Sequence, residues 1–495
     1  MFIWVAYPDM GGWTFDYSLY NAKKNGGIVI SQQAGIDRLR SKVERFTPTY
    51  LKEWYEVPDA SYLSQTKYYV VPEHIEQGLI AEYGSNHQVM MQHTYEPMVS
   101  WFSEVIEEIA GFCTIEGFIS FSPLPSLKAA AQKYNIPVIY WDIAPLRYPV
   151  YKSLAYFDYK STQFGDNEAA KRYKEFTKML DADDSFENYI FSSKELLSLL
   201  LADKHLYKLK YYDQKPSYAW GVAPSESFGY QRNFLNKVIE SIDVQNALLR
   251  CHPMDREFDE WRSAWPGDLD ESRGTEEFIC RCQKIVCYTS KTVFNAMLWG
   301  RLAYVIDVPD SAFLLGANQS LSATDGEITS DQFMSFITFG YFVPMEYLMD
   351  QEYLRWRNNA PSEKEIYIKH LEYYLGQLDI QLSEFLSIHK RDRLSFLLDS
   401  RNYQSHDSSK TTTHDKLSDF ENQETVRAAS KQIYEPNRWK DAQAIARYES
   451  AMHLNTSTLI KLLVKRMIPG SLWRCMHRIK TRVKSIRTVS TEMSE

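Results

Sequence analysis

The residues in this chain best suited to chemistry on a phosphate-bearing substrate fall within Asn246–Val305. An apolar run, Ala247-Leu248-Leu249, delivers the pair His252-Pro253 at what reads as a strand end. A second short run, Ile285 to Tyr288, empties into Thr289-Ser290-Lys291-Thr292, and a helix follows with Val293, Phe294, Met297 and Leu298 at helical spacing, closed by Gly300. A strand that runs into small hydroxyl residues capping a helix makes an anion cradle, because the free N–H groups and the positive end of the helix dipole face the strand's carboxyl end. In this reading Ser290, Lys291 and Thr292 cap the cradle. His252 donates to a phosphate oxygen, Pro253 fixes the loop that presents it, and Asn295 follows on the helix.

Two carboxylates stand at comparable places. Asp142 follows the strand Pro137–Trp141, and Glu226 sits in the turn APSESFG after the strand Pro216–Val222. Both are carboxyl-terminal to strands, where parallel sheets put their ligands, so both can face a cleft between two domains. A pair of this kind suits glycosyl transfer through an oxocarbenium-like state, one group attacking the anomeric carbon or activating the acceptor hydroxyl. Gly12, in the glycine turn after the first strand, and Arg147 and Asp158, in the long stretch after Asp142, are further cleft candidates. That stretch, residues 143–168, reads as one long irregular loop. No D-x-D stands on a strand edge with supporting ligands, so the donor phosphate is expected to be held without a metal.

The elements that must position these groups alternate. Strands at Phe2–Tyr7, Ile28–Ser31, Gly117–Phe121 and Pro137–Trp141 are interleaved with helices at Trp13–Asn21, Val99–Ile109 and Pro125–Tyr134. That spacing predicts a parallel, doubly wound sheet. The pattern repeats after residue 216, so the expected fold is α/β. It comprises two parallel-sheet domains with a cleft between them, plus C-terminal helices. The expected boundaries are 1–195 for an acceptor domain, 196–345 for a nucleotide-sugar domain and 346–399 for a helical flank. A polar linker at 400–440 and a basic tail at 441–495 complete the chain.

Charge is unevenly spread. Residues 451–495 carry nine Lys/Arg and two Glu, a charge of +7 that leaves −15 for residues 1–450. An acidic body argues against nucleic acid as a partner. In the tail Leu459, Leu462, Leu463, Met467, Leu472, Trp473 and Ile479 alternate with Lys461, Lys465, Arg466, Arg474 and Arg478, the pattern of an interfacial helix on an anionic membrane. Six Cys in 495 residues make no disulfide framework and read as reduced thiols. The N-terminus lacks a basic n-region and reads as a buried strand, and no apolar run is long enough to span a bilayer. The expected location is the cytoplasm, peripheral on the inner membrane face.

Taken together, NHQVMMQHTYEPMVSWF, SPLPSLKAAAQKYNIPVIYWDIAPLRYPVYKSLAYFDY, RCHPMD and YTSKTVFNAMLWG resemble glycosyltransferase family 99, the bacterial retaining β-Kdo transferases of O-antigen assembly, over roughly residues 80–305. The resemblance implies a GT-B-like arrangement of two Rossmann-like domains and a CMP-Kdo donor held mainly by the second domain, with His252 and Pro253 as the His-Pro pair and Ser290–Thr292 as the phosphate turn. It also implies a covalent Kdo–carboxylate intermediate, a glycan or lipid-linked glycan acceptor, and no separate cofactor. Two positions depart from the family pattern: Asp142 replaces its Glu, and Glu226-Ser227 stands where the family has the nucleophilic Asp. These departures keep two alternatives open, an inverting CMP-sugar (sialyl-type) transferase with Asp142 as base and a non-catalytic glycan-binding module.

Overall fold

A computed structural model describes residues 1–8, 13–41, 58–84, 92–121, 123–161, 167–224, 228–251, 258–272, 274–288, 290–306, 311–321 and 326–408. The described residues all fall within one compact unit, Met1–Arg427, and the polar linker beyond 408 and the basic tail lie outside the described residues. The strands are β1 Phe2–Ala6, β2 Ile28–Ser31, β3 Lys67–Val70, β4 Gly117–Ser120, β5 Val138–Ile143 and β6 Leu154–Asp158, followed by β7 Tyr218–Ala223, β8 Ala247–Leu249, β9 Asp268–Leu269, β10 Cys282–Cys287, β11 Leu302–Val305 and β12 Val343–Pro344. They make two sheets, ordered β12-β6-β5-β4-β1-β2-β3 and β11-β10-β7-β8-β9.

The first five strands of each half occupy the same relative places. In chain order, both parallel sets run third, second, first, fourth, fifth, the order of a mononucleotide-binding half. The Rossmann-like reading therefore holds in both domains. β1 is apolar throughout because both its faces are covered. Phe2, Trp4 and Ala6 pack with Val29, Ile119 and Trp141 on one side, and Ile3 and Val5 pack with Ile28, Ile30, Phe118 and Tyr140 on the other. Chain order reverses between β1 and β4 in the first sheet and between β7 and β10 in the second. A crevice opens at such a point beyond the strands' carboxyl ends.

Several expectations need correcting. Residues 143–168 are not one irregular loop: β6 returns antiparallel to β5, with Asp142 opposite Tyr156 and Ile143 opposite Ala155. Its apolar residues, Leu154, Ala155, Tyr156 and Phe157, are buried, which is what draws the segment into the sheet. The second-domain boundary expected at 345 also shifts, because β12 pairs antiparallel with β6 and returns the chain to the first sheet before that residue. The domain boundary expected at 195 lies in the helix Ser193–Leu200, whose capping box joins Ser192 and Glu195. The linker expected from 400 begins as helix, since Arg393–Ser408 is continuous. β3, in the aromatic-rich stretch before residue 95, had no periodic signal; among the described residues it is an edge strand that pairs only with β2.

Candidate functional site

Among the described residues, an ion pair joins the carboxyl ends of the two sheets, alongside an apolar cluster that spans both. Lys291 Nζ lies 2.8 Å from Asp142 Oδ2 and also donates to the carbonyl of Ile143. Asp142 is in the last turn of the pleat of β5, and Lys291 stands just after β10, so carboxyl ends of the two sheets face each other here. β10 is one of the two strands flanking the second sheet's switch point, which puts Lys291 where a ligand of that domain would lie. Its side chain is 20% exposed and that of Asp142 21%. Burial lowers the Lys291 pKa to about 8; Asp142 acts to raise it and Arg147 to lower it further. The ammonium is therefore a cation held at a cost, with one carboxylate as its main compensation.

Other groups gather around the pair. Arg147, in the turn between β5 and β6, donates Nε to the carbonyl of Ala144 at 3.2 Å. Tyr156, directly opposite Asp142 in the strand register, puts its ring 5.4 Å from Lys291 Nζ. Its hydroxyl is buried with no hydrogen-bond partner among the described residues, and Asn295 Oδ1, one helical turn past Lys291, is in the same condition. Buried polar atoms of this kind cost about 1–3 kcal/mol each when left unpaired. Across the sheet, Trp13, Phe121 and Trp141 form an aromatic cluster beside the carboxyl ends of β4 and β5. Trp13 and Phe121 are 4.8 Å apart, Phe121 and Trp141 5.2 Å, and both Trp13 and Phe121 are half-buried.

The cradle expected at Ser290–Thr292 is built differently. The helix Thr292–Leu298 has Lys291 as its N-cap with no side-chain cap bond. Ser290 Oγ donates to Thr292 Oγ1 at 2.9 Å and accepts the Thr292 N–H at 3.2 Å, so the Ser290 proton and the Thr292 N–H are held within the turn. The group this turn presents across the seam is the lysine. Asp158 is also corrected. It is fully buried, accepting N–H bonds from Lys160, Ser161 and Glu168 and the hydroxyl of Tyr341, so it ties down the chain after β6 and does not line a cleft. Burial raises its pKa to about 6, against those hydrogen bonds. Gly12, Glu226, His252 and Pro253 lie outside the described residues. The strands before them are in place: β7 ends at Ala223 and β8 at Leu249, and Arg250 is anchored on Asp270.

The residues missed by sequence reasoning are Tyr156, Trp13 and Phe121. An antiparallel return after Asp142 would have indicated Tyr156, but YKSLAYFD has no turn signal strong enough to show one.

Residues 2–167, the first third of the chain, match the model of the glycosyltransferase 99 family N-terminal domain. The match takes in the motifs from NHQVMMQ to YFDY and ends before RCHPMD and the turn at Lys291. No curated protein matches the chain significantly. Among solved structures, the chain is similar to Thermosulfurimonas dismutans KpsC, a beta Kdo 2,7 transferase, at 14% identity over 56% of this chain and 89% of that one, with a TM-score of 0.29. For the beta Kdo 2,4 transferase of the same KpsC the figures are 9%, 44%, 78% and 0.26. For MurG of Acinetobacter baumannii they are 11%, 75%, 99% and 0.29. These likenesses are too remote to carry a functional inference.

Proposed function

We propose that the chain is a glycosyltransferase that uses a CMP-activated acidic sugar, Kdo, to extend a bacterial surface glycan, without a metal and with retention. The observation that carries this reading is the Lys291–Asp142 pair where the two sheets meet. A nucleoside monophosphate entering the crevice brings an anion that competes with Asp142 for the buried ammonium. Lys291 then holds the phosphate, with His252 and Pro253 beyond β8, and Asp142 is released toward the acceptor. Ser290 and Thr292 keep the turn that aims Lys291.

In the reaction, the Glu226 carboxylate attacks the anomeric carbon as the bond to the phosphate oxygen breaks, and CMP departs with the electron pair. The acceptor hydroxyl then attacks the same carbon, the carboxylate leaves, and the hydroxyl proton passes to Asp142. The aromatic cluster at Trp13 and Phe121 offers apolar faces to the acceptor sugar. The basic tail holds the enzyme on the anionic inner leaflet, where lipid-linked acceptors lie. Asp142 as sole base, with inversion, is the second reading. It is favoured by the placement of Asp142 in the seam.

The test is transfer from CMP-Kdo, CMP-sialic acid and UDP-glucose by the wild type and by His252→Ala, Lys291→Ala and Glu226→Gln. Turnover is expected with CMP-Kdo alone, falling roughly a hundredfold or more in each variant, with a Kdo adduct on Glu226 in intact-mass spectra. Full turnover in His252→Ala and Lys291→Ala rejects the phosphate role. An inverted product with no adduct selects the second reading, and no turnover with any donor rejects both.

A further inference from the structure

A cavity of about 500 Å³ opens in the second domain, lined by Tyr218, Arg262, Trp265, Asp268, Glu271 and Arg281. Its place is set by the strands: Tyr218 begins β7, Asp268 begins β9, and Arg281 immediately precedes β10. All three belong to the amino ends of the parallel strands, whereas Lys291 follows the carboxyl end of β10. The six residues of β10 put about 20 Å between the two places. The cavity is therefore separate from the Lys291–Asp142 seam.

We infer that this cavity is a second saccharide site, one that holds a neutral stretch of glycan away from the reacting centre. The walls are rigid. The Arg281 guanidinium lies 5.4 Å from the centroid of the Tyr218 ring, and the Tyr218 hydroxyl donates to Asp268 Oδ2 at 2.9 Å. Trp265 is 4% exposed, and its Nε1 donates to the Asp268 carbonyl at 3.0 Å. Gly267 is pressed so close to its neighbours that a Cβ there would come within 2.3 Å of the Val244 carbonyl, so bare backbone is required at that point.

The lining sets hydrogen-bond donors and acceptors beside aromatic side chains. Arg262 and Arg281 bring guanidiniums, Arg281 with Nη1 3.4 Å from Asp270 Oδ1, Asp268 and Glu271 bring carboxylates, and Tyr218 is half-buried beside them. A pyranose meets that demand, since each hydroxyl both donates and accepts and its C–H face packs on an aromatic ring. A phosphate or nucleotide is disfavoured, because the two carboxylates offset the two guanidiniums. The volume lies within the range of small-ligand sites. For an enzyme that lengthens a glycan, such a site retains the chain between additions. The inference does not depend on which nucleotide sugar is the donor.

The experiment is binding of the full chain to a printed array of bacterial surface oligosaccharides, with and without saturating CMP. The wild type is expected to hold at least one oligosaccharide whether or not CMP is present, and Lys291→Ala is expected to hold it equally. Tyr218→Ala is expected to weaken that binding roughly tenfold. Glu271→Gln, a change at an exposed side chain that leaves the fold intact, is expected to weaken it as well. Absence of any CMP-insensitive saccharide binding overturns the inference. So does unchanged binding in both Tyr218→Ala and Glu271→Gln. Loss of donor turnover in Lys291→Ala with array binding retained keeps this result apart from any failure of the donor reading.

Discussion

Replacing Asp142 with Asn removes the carboxylate that steadies the Lys291 ammonium and is expected to push the pKa of that amine below about 8. The charges lie 2.8 Å apart, which at an effective dielectric of about 20 corresponds to about 6 kcal/mol of attraction before desolvation is counted. Both side chains keep about a fifth of their exposure (20% and 21%), so water screens the pair and removes much of that attraction. A net of about 1–3 kcal/mol remains, which is about one to two pH units on Lys291. Competitive labelling with acetic anhydride across neutral to alkaline pH, read by peptide mass spectrometry at Lys291, gives the midpoint directly. The wild type is expected near 8 and Asp142→Asn lower by that margin. Saturating CMP is expected to raise the midpoint and slow labelling, since its phosphate takes the carboxylate's place. A wild-type midpoint near the ordinary lysine value of 10.5, or no shift in Asp142→Asn, refutes the reasoning. The linkage has a definite sign. With the folded value below the unfolded one, the cost of burying this charge is present in full below about pH 8. It is relieved as pH rises toward 10.5, so this group adds stability across that window.

Asp158 titrates in the opposite sense: its folded pKa is raised from 3.8 to about 6, so its contribution is fully present below 3.8 and is lost as pH rises through 6. Asp158→Asn is expected to flatten that part of the apparent-Tm profile; an unchanged slope would show that another group is responsible. Gly221→Ala puts a methyl 2.6 Å from Ile285 Cδ1 and 2.8 Å from Cys282 Sγ, and overpacking of this kind costs about 1–3 kcal/mol. Its apparent Tm should fall in a thermal-shift assay, and an unshifted melt would mean that β7 and β10 move apart freely. Deleting residues 451–495 is expected to release the protein from anionic vesicles in co-sedimentation, and undiminished pelleting rejects the tail as anchor.

Much of the architecture was legible because parallel strands buried on both faces write themselves as short apolar runs. FIWVA and GFIS reveal β1 and β4 without any knowledge of their neighbours. Gly300 is equally local, ending its helix at φ 66° as the sequence expected. The pair of parallel-sheet domains follows from the repetition of that strand–helix pattern, while the GT-B-like arrangement was what the resemblance implied. β6 and β12 were not legible in this way, since each earns its place through antiparallel partners elsewhere, Val343 opposite Ala155 and Asp142 opposite Tyr156. The site divides along the same line. Residue types alone singled out Asp142 as a carboxylate after a strand and Lys291 as part of a helix-capping turn, which depends only on nearby sequence. That the two touch, across 149 residues, and that burial lowers the lysine's pKa, depends on how two sheets pack. A charge's partner and its dielectric surroundings are properties of that packing, and only the tertiary structure decides them.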